Sequence, residues 1–166
     1  MPSSFPENIP QICQMFMELK PKTILDIGVG RGKYGLLAKE YLKNDVKVDG
    51  LEIFDPYITP TIIMIYNKII AGNALDEKIH NNLKYDLVLI IDVLEHWEKE
   101  KAHILLNKLI DNGCKIFMST PRSVGPQGPE YGNEWERHVS QWGGDDFRRN
   151  PNREYYSDIS FNYLLG

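Results

Sequence analysis

The chain has 166 residues, a length that fits one domain with a sizeable hydrophobic core. Its net charge of −4 argues against a nucleic-acid partner, because surfaces that bind nucleic acid are usually basic. No apolar run approaches the roughly 20 residues of a membrane span, so no membrane partner is expected. The two cysteines, Cys13 and Cys114, lie far apart in a chain with no signal peptide, which favours a reduced, cytoplasmic protein with buried thiols.

Residues 1–22 are expected to form an N-terminal arm and one helix. Met1–Pro10 is predicted to be a loosely held arm. Apolar residues then recur at helical spacing over Ile9–Leu19, which predicts an amphipathic helix. Lys20-Pro21-Lys22 ends this helix, and the first strand follows.

The first strand leads into a glycine-rich turn. Thr23–Ile27 is a short apolar run that only Asp26 interrupts, a pattern typical of a buried parallel strand. Gly28, Gly30 and Gly32 alternate through the turn, and a helix is predicted from there to residue 43. Glycines let a ligand approach the main chain, and the helix that follows presents free N–H groups. The arrangement predicts a site for a nucleotide-like ligand at the carboxyl edge of a sheet.

The spacing of the glycines indicates which ligand. The dinucleotide fingerprint G-x-G-x-x-G would require glycine at 33, where this chain has Lys33. The pattern G-x-G-x-G preceded by Asp26 resembles the first motif of the class I S-adenosylmethionine-dependent methyltransferases. The resemblance implies that Asp26, Gly28, Gly30 and Gly32 belong to a binding site for S-adenosylmethionine. A nicotinamide oxidoreductase is an alternative that Lys33 disfavours.

The second predicted strand ends on an acidic residue. A turn at Asn44-Asp45 precedes this strand, which covers residues 46–52 and ends on Glu52. Glu52 lies about 20 residues beyond the glycine turn, where a carboxylate can accept both hydroxyls of a ribose. Folds that bind NAD and folds that bind S-adenosylmethionine share this device, so Glu52 predicts a ribose without choosing between them. A solvated acid at a strand end is the alternative.

The third predicted strand, Lys68–Ala71, is followed by a loop that contains Asn73 and Ala74. In the methyltransferases this loop often reads Gly-Asp-Ala, and the acid and the next backbone N–H meet the adenine edge. The resemblance therefore places Asn73 and Ala74 at the adenine, although an amide oxygen is a weaker acceptor than a carboxylate. An ordinary turn is the alternative. Asp76 is expected to cap the short helix that follows.

The fourth predicted strand is almost entirely apolar over Tyr85–Ile91, as a central parallel strand should be. The next residues, 92–96, read D-V-L-E-H and resemble the fourth motif of small-molecule methyltransferases. The resemblance places Asp92 near the methionine part of the cofactor. An H-x-x-E-H zinc site would require histidine at position 92, and no second ligand cluster is evident, so no metal is predicted. For His96, a residue at a helix start is the simpler interpretation.

The remaining elements define the fold class. A helix is predicted at 97–110, a fifth strand at 114–119, a short helix at 141–149 with Phe147 inward, and β structure at 153–166. The order β-α-β-α-β-α-β-α-β with a β-rich tail predicts an α/β fold. We expect a doubly wound, Rossmann-like sheet that is mostly parallel, with an antiparallel C-terminal strand or strand pair and helices on both faces. Residues 1–166 are then one domain.

The loop at 120–143 is predicted to lie on the side of the methyl acceptor, because a polar, glycine-rich loop of this length is usually functional or disordered. Tyr131, Trp135 and Trp142 offer apolar walls with polar handles, and Arg137 offers a charge for an acidic acceptor. His138 is suited to take a proton near neutral pH, and many small-molecule methyltransferases carry a histidine at about this point. Alternatively, Trp135, His138 and Trp142 only hold the loop against the core.

The resemblance covers about residues 19–147 and implies methyl transfer from S-adenosylmethionine to a small-molecule acceptor. The Asn/Asp/Ser-Pro-Pro-aromatic motif of adenine and cytosine N-methyltransferases is absent after the fourth strand, which argues against base methylation of that type. A non-catalytic module that binds S-adenosylmethionine is the alternative, because the sequence shows no obvious substrate cap.

Overall fold

The computed structural model describes residues 3–43, 46–147 and 151–166, except for the side chains of 151 and 152. These residues contain one seven-stranded sheet. The helices of these ranges are α1 (Ile9–Leu19), α2 (Lys33–Leu42), α3 (Pro60–Ile65), α4 (Glu77–His80) and α5 (Lys99–Asp111). The strands are β1 (Thr23–Ile27), β2 (Lys47–Glu52), β3 (Lys68–Ala71), β4 (Leu87–Ile91), β5 (Lys115–Pro121), β6 (Pro151–Tyr155) and β7 (Ser160–Leu165). Short 3-10 turns occupy Pro6–Asn8, Asp55–Tyr57, Leu94–His96, Glu134–Glu136 and Gly144–Phe147.

The strand order is β3-β2-β1-β4-β5-β7-β6. The pairs among β1 to β5 are parallel, whereas β7 pairs antiparallel with both β5 and β6. The predicted mostly parallel sheet with an antiparallel C-terminal strand pair is therefore confirmed. Because β1 pairs with β2 on one side and β4 on the other, the chain changes direction across the sheet at β1.

Hydrophobic cores cover both faces of the sheet, because successive strand residues point to opposite faces. Ile24 of β1 packs in a cluster with Phe16 of α1 and with residues of α2 and α3. Leu25, the next residue, packs in a second cluster with Leu105 of α5. Helices thus lie on both faces, as predicted, and both cysteines are free and buried.

Three local predictions differ from the structure or lie outside the described residues. The turn expected at 44–45 and the end of the helix expected at 141–149 lie outside the described residues. The helix expected from 97 begins at Lys99, because residues 94–96 form a 3-10 turn and Trp97 is extended. The region expected as a helix over 141–149 has a 3-10 turn at Gly144–Phe147, with Phe147 buried as predicted. None of the helices in the described ranges has the length and hydrophobicity that crossing a membrane requires.

Candidate functional site

The carboxyl ends of β1, β2 and β4 open into a cavity of about 300 Å³. This is the position at which ligands bind in open α/β sheets, since the loops of β1 and of its two neighbours diverge there. The wall of the cavity also includes residues 3–5 and part of the loop after β5.

The glycine turn after β1 forms one wall. Gly28 has a φ of +77°, and a Cβ added there would lie 2.6 Å from Cγ2 of Val93. Gly28 and Gly30 line the cavity. Gly32, which begins α2 with a φ of +76°, packs instead against α3, where an added Cβ would lie 2.7 Å from Cδ1 of Ile65. Glycine at 28 and 32 therefore allows the turn to form and the neighbouring elements to pack closely.

Asp26, expected in the cofactor site, is buried beneath the turn and does not line the cavity. The hydroxyl of Tyr66 donates a hydrogen bond of 2.6 Å to Oδ2 of Asp26. Burial raises the pKa of the Asp26 carboxyl to about 7, although the hydrogen bond from Tyr66 opposes this shift. The position of Asp26 indicates that it supports the turn rather than contacts a ligand.

Glu52, the last residue of β2, lines the cavity and has only 4% of its surface exposed. The backbone N–H of Phe54 donates to Oε1 of Glu52 over 2.9 Å. Burial raises the pKa of this carboxyl, while backbone N–H groups, including that of Gly30, lower it. Asn73 and Ala74 line the same region, and Oδ1 of Asn73 accepts from the N–H of Leu75 over 2.9 Å. The predicted ribose and adenine residues are thus brought together.

Glu136 is a residue of this region that the sequence analysis missed. It comes from the loop after β5, is 5% exposed and lines the cavity. Oε1 of Glu136 accepts a hydrogen bond of 2.8 Å from the hydroxyl of Tyr57, whereas Oε2 is buried and has no hydrogen-bond partner among the residues that the structure describes. Burial raises the pKa of Glu136. Acidic residues in a polar loop look solvated in sequence, so no signal marked Glu136 as buried.

Asp92 lies at the end of β4, in a left-handed backbone conformation with a φ of +52°. Its Oδ1 accepts from the hydroxyl of Ser119, and its Oδ2 accepts from the N–H of Phe5, each over 3.4 Å. Burial raises the pKa of Asp92 to about 6. Nζ of Lys33 donates to the carbonyl of Ser4 over 2.7 Å. The N-terminal segment, residues 3–5, is therefore held against both the glycine turn and Asp92.

Glu95, His96 and His138 lie close together near the end of β4. Each offers one potential metal-ligand atom, and these three atoms lie within 4.8 Å of one another. All three line the cavity. Nδ1 of His96 lies 3.1 Å from the carbonyl of Arg137, and Nδ1 of His138 lies 2.7 Å from the carbonyl of Gly125. Of these three residues only His138 was predicted as a site residue, because nothing in the D-V-L-E-H segment shows that a loop 42 residues later folds back onto it.

Glu95 is 2% exposed, and its Oε2 accepts a hydrogen bond of 3.1 Å from the hydroxyl of Thr120. Burial raises the pKa of its carboxyl to about 8, and the charge of Asp92 adds to the shift. Burial also lowers the pKa of His96. At the wall of the cavity, Glu95 is thus buried and His96 is half-buried.

The predicted acceptor residues of the loop separate into two groups. Trp135 lines the cavity, whereas Tyr131 is 66% exposed and does not. Arg137 lies at the surface, 3.3 Å from Glu134 in an ion pair. Trp142 is 1% exposed, stacks on Phe147 and donates from Nε1 to the carbonyl of Leu94. This corrects the prediction of Trp142 as an acceptor wall: its indole packs in the core, which was the stated alternative.

The sequence matches no protein-family model and no curated protein. Solved structures do match. An O-methyltransferase family protein from Burkholderia thailandensis has a TM-score of 0.71 at 12% identity, over 96% of this chain and 55% of that chain. The N-terminal domain of EvdMO1, solved in the presence of SAH and D-fucose, has a TM-score of 0.65 at 14% identity, over 98% of this chain and 83% of that chain. Human N-acetylserotonin methyltransferase, solved with SAM, has a TM-score of 0.63 at 14% identity, over 95% of this chain and 51% of that chain.

Because these identities are low, the likeness establishes the fold alone. The chain has the class I S-adenosylmethionine-dependent methyltransferase fold, as the sequence motifs predicted. It spans a little over half the length of the first structures that it matches.

Proposed function

We propose that this chain binds S-adenosylmethionine in the cavity and transfers its methyl group to a small-molecule acceptor. The observation that carries the proposal is that Gly30, Glu52 and Asp92 line a single cavity next to β1, where the chain changes direction across the sheet. The matched structures solved with SAM or SAH have the same fold, which supports the choice of cofactor.

The residues present fit this cofactor. The buried carboxylate of Glu52 would accept hydrogen bonds from the ribose hydroxyls, and the loop of Asn73 and Ala74 would face the adenine. Oε2 of Glu136, which has no partner within the described ranges, offers a further acceptor at the cavity wall, since a buried carboxylate oxygen without a partner is costly until a ligand donates to it. Asp92, at the end of β4, would face the methionine part, whose ammonium group it complements in charge.

The acceptor would lie at the end of β4, between Trp135 and His138. When bound, S-adenosylmethionine supplies an electrophilic methyl group on its sulfonium, which an acceptor nucleophile takes by in-line displacement. The contribution of the chain is then chiefly to position the acceptor. His138, whose Nδ1 faces the carbonyl of Gly125, presents Nε2 to orient or deprotonate that nucleophile.

A non-catalytic module that binds the cofactor is the second candidate. The matched structures are 12–14% identical to this chain and support its fold, so a chain that binds the cofactor without transferring its methyl group fits them as well. Incubation with methyl-labelled cofactor and fractions of metabolites, protein and RNA separates the two candidates. An enzyme forms S-adenosylhomocysteine and a labelled product with some fraction, whereas a module binds the cofactor and forms neither.

Calorimetry tests the cofactor directly. We expect S-adenosylmethionine and S-adenosylhomocysteine to bind, and NAD and NADP to show no detectable binding, because Lys33 interrupts the dinucleotide spacing. Tighter binding of NAD than of S-adenosylhomocysteine would overturn the proposal.

A further inference from the structure

We propose that Glu95, His96 and His138 bind a divalent first-row transition-metal ion at the wall of the cavity. The sequence analysis predicted no metal, because position 92 is not histidine and no second group of ligands was evident. The structure supplies that second group, because the loop after β5 places His138 beside the 3-10 turn of Glu95 and His96.

The separation of the three side chains suits a single ion. One ligand atom from each lies within 4.8 Å of the others. Ligand atoms that bind one tetrahedral ion at about 2.0–2.2 Å lie about 3.3–3.6 Å apart, so side-chain movements of about 1 Å bring all three to coordination distance. Two imidazoles and one carboxylate are donors that suit first-row transition metals better than magnesium or calcium.

Both imidazoles have a backbone carbonyl beside Nδ1, a contact that histidine ligands of metals usually make. Nδ1 of His96 faces the carbonyl of Arg137, and Nδ1 of His138 faces the carbonyl of Gly125. A carbonyl can only accept, so each Nδ1 carries the proton when the ring is neutral, and each Nε2 presents a lone pair. Backbone carbonyls that fix the tautomer in this way are the usual outer contacts of histidine ligands.

The backbone keeps the two ligand-bearing segments together. The N–H groups of Val139 and Ser140 donate to the carbonyl of Glu95 over 2.9 and 3.1 Å. The N–H of His138 donates to the carbonyl of Gln127 over 3.1 Å. The loop is therefore attached to the 3-10 turn directly after His138, and His138 is fixed within the loop by Gln127, so the site is assembled before a metal arrives.

The position of Glu95 is consistent with a cation site. Its side chain is 2% exposed, and its Oε2 accepts a hydrogen bond of 3.1 Å from the hydroxyl of Thr120. A carboxyl group held in this way at the wall of the cavity would serve as the oxygen ligand of the ion.

The ion would lie where the acceptor is expected. Three protein ligands leave coordination positions open, and an acceptor hydroxyl bound there would have a lowered pKa. With the ion bound, Nε2 of His138 is a ligand, so the ion and not the imidazole would orient and activate the acceptor. This role rests on the proposed function, whereas metal binding itself does not.

The test uses the chain without an affinity tag, treated with chelator and then desalted. Co²⁺ is titrated in the absence of cofactor, with visible d–d absorption as the readout and calorimetric competition by Zn²⁺ as the second measurement. We expect one ion per chain. His138→Ala and His96→Ala should each weaken binding about 100-fold or more, since removal of even an outer contact costs about 10- to 100-fold.

His103→Ala is the matched control, because His103 lies on α5 against Trp142 and outside the cluster. Circular dichroism establishes that each variant is folded, and Glu95→Gln, which preserves side-chain size, tests the carboxylate. The proposal is overturned if the wild-type chain binds no Co²⁺, or if the folded cluster variants bind it as well as His103→Ala does.

Binding of S-adenosylhomocysteine is measured on the same samples. If the chain binds the nucleotide but no metal, the metal site alone is wrong. If it binds metal but no nucleotide, the cofactor proposal alone is wrong.

Discussion

The hydroxyl of Tyr66 donates a hydrogen bond of 2.6 Å to Oδ2 of Asp26, which links the end of α3 to the first strand beneath the glycine turn. Both residues are buried, with 4% and 2% of their surfaces exposed. The pair therefore places an ionisable carboxyl inside the core, directly under the loop that we expect to contact the cofactor.

The free energy of unfolding should depend on this carboxyl. Burial raises the pKa of Asp26 from 3.8 to about 7 in the folded chain. Between these values the unfolded chain releases the proton and the folded chain keeps it, so Asp26 lowers stability as pH rises, by about 1.4 kcal/mol per pH unit. Asp26→Asn cannot ionise and still offers an oxygen to Tyr66. We expect it to remove this slope and to be more stable at pH 7, as measured by urea unfolding.

Asp111→Asn, a change at an exposed position of α5, is the control for the Asp26 experiment. It should leave the slope between pH 4 and pH 7 as in the wild-type chain. If Asp26→Asn shows the wild-type slope as well, the buried carboxyl does not titrate in this range.

Glu52→Ala tests the ribose assignment. Removing hydrogen bonds to a charged group costs roughly 1.5–3 kcal/mol, which corresponds to about a 10- to 150-fold loss of affinity. We expect that loss for S-adenosylmethionine and S-adenosylhomocysteine in calorimetry. Glu100→Ala, an exposed glutamate on α5, should bind both as the wild-type chain does. Normal binding by folded Glu52→Ala would remove Glu52 from the site.

Glu136→Gln should stabilise the folded chain when no cofactor is bound. The variant keeps an oxygen for the hydroxyl of Tyr57 and replaces a carboxylate whose Oε2 has no partner among the described residues. It also removes a like charge that acts on Glu52. We expect the free energy of unfolding to rise by about 1 kcal/mol, because a buried carboxylate costs more to desolvate than a buried neutral amide. A lower melting temperature than that of the wild-type chain would show that the carboxylate is satisfied.

His138→Asn tests the acceptor site once labelled-cofactor screening has identified an acceptor. We expect nearly unchanged affinity for S-adenosylmethionine and turnover lowered about 10²-fold or more, because His138 lies at the wall where the acceptor is expected. His103→Asn should keep full turnover. Unaltered turnover in His138→Asn would move the acceptor site elsewhere, with the arm before Ile9 as the next place to test.

The sequence predicted the sheet well because its strands are apolar runs with clear ends. Thr23–Ile27 and Lys68–Ala71 have the predicted bounds. Glu52 was identified because its place at a strand end is a local property of the chain. The acids of the loop had no such signal: the burial of Glu136 depends on Tyr57, which is 79 residues away.

The aromatic residues of the loop show a second limit. Trp135 and Trp142 are the same residue type seven positions apart, yet one lines the cavity and the other stacks on Phe147 in the core. An indole suits either environment, so composition does not choose between them. The choice depends on the path of the loop, which is set by backbone bonds to Glu95 that no periodic pattern encodes.

Residues 3–5 of the N-terminal segment cover part of the cavity through a few hydrogen bonds. Its hold on the cavity includes the bond from Lys33 to the carbonyl of Ser4 and the one from the N–H of Phe5 to Asp92. Such bonds each contribute on the order of 1 kcal/mol, so the segment opens without unfolding the sheet. Opening of residues 3–5 would uncover the glycine turn and Asp92, so this segment covers the cavity with less stability than the sheet behind it has.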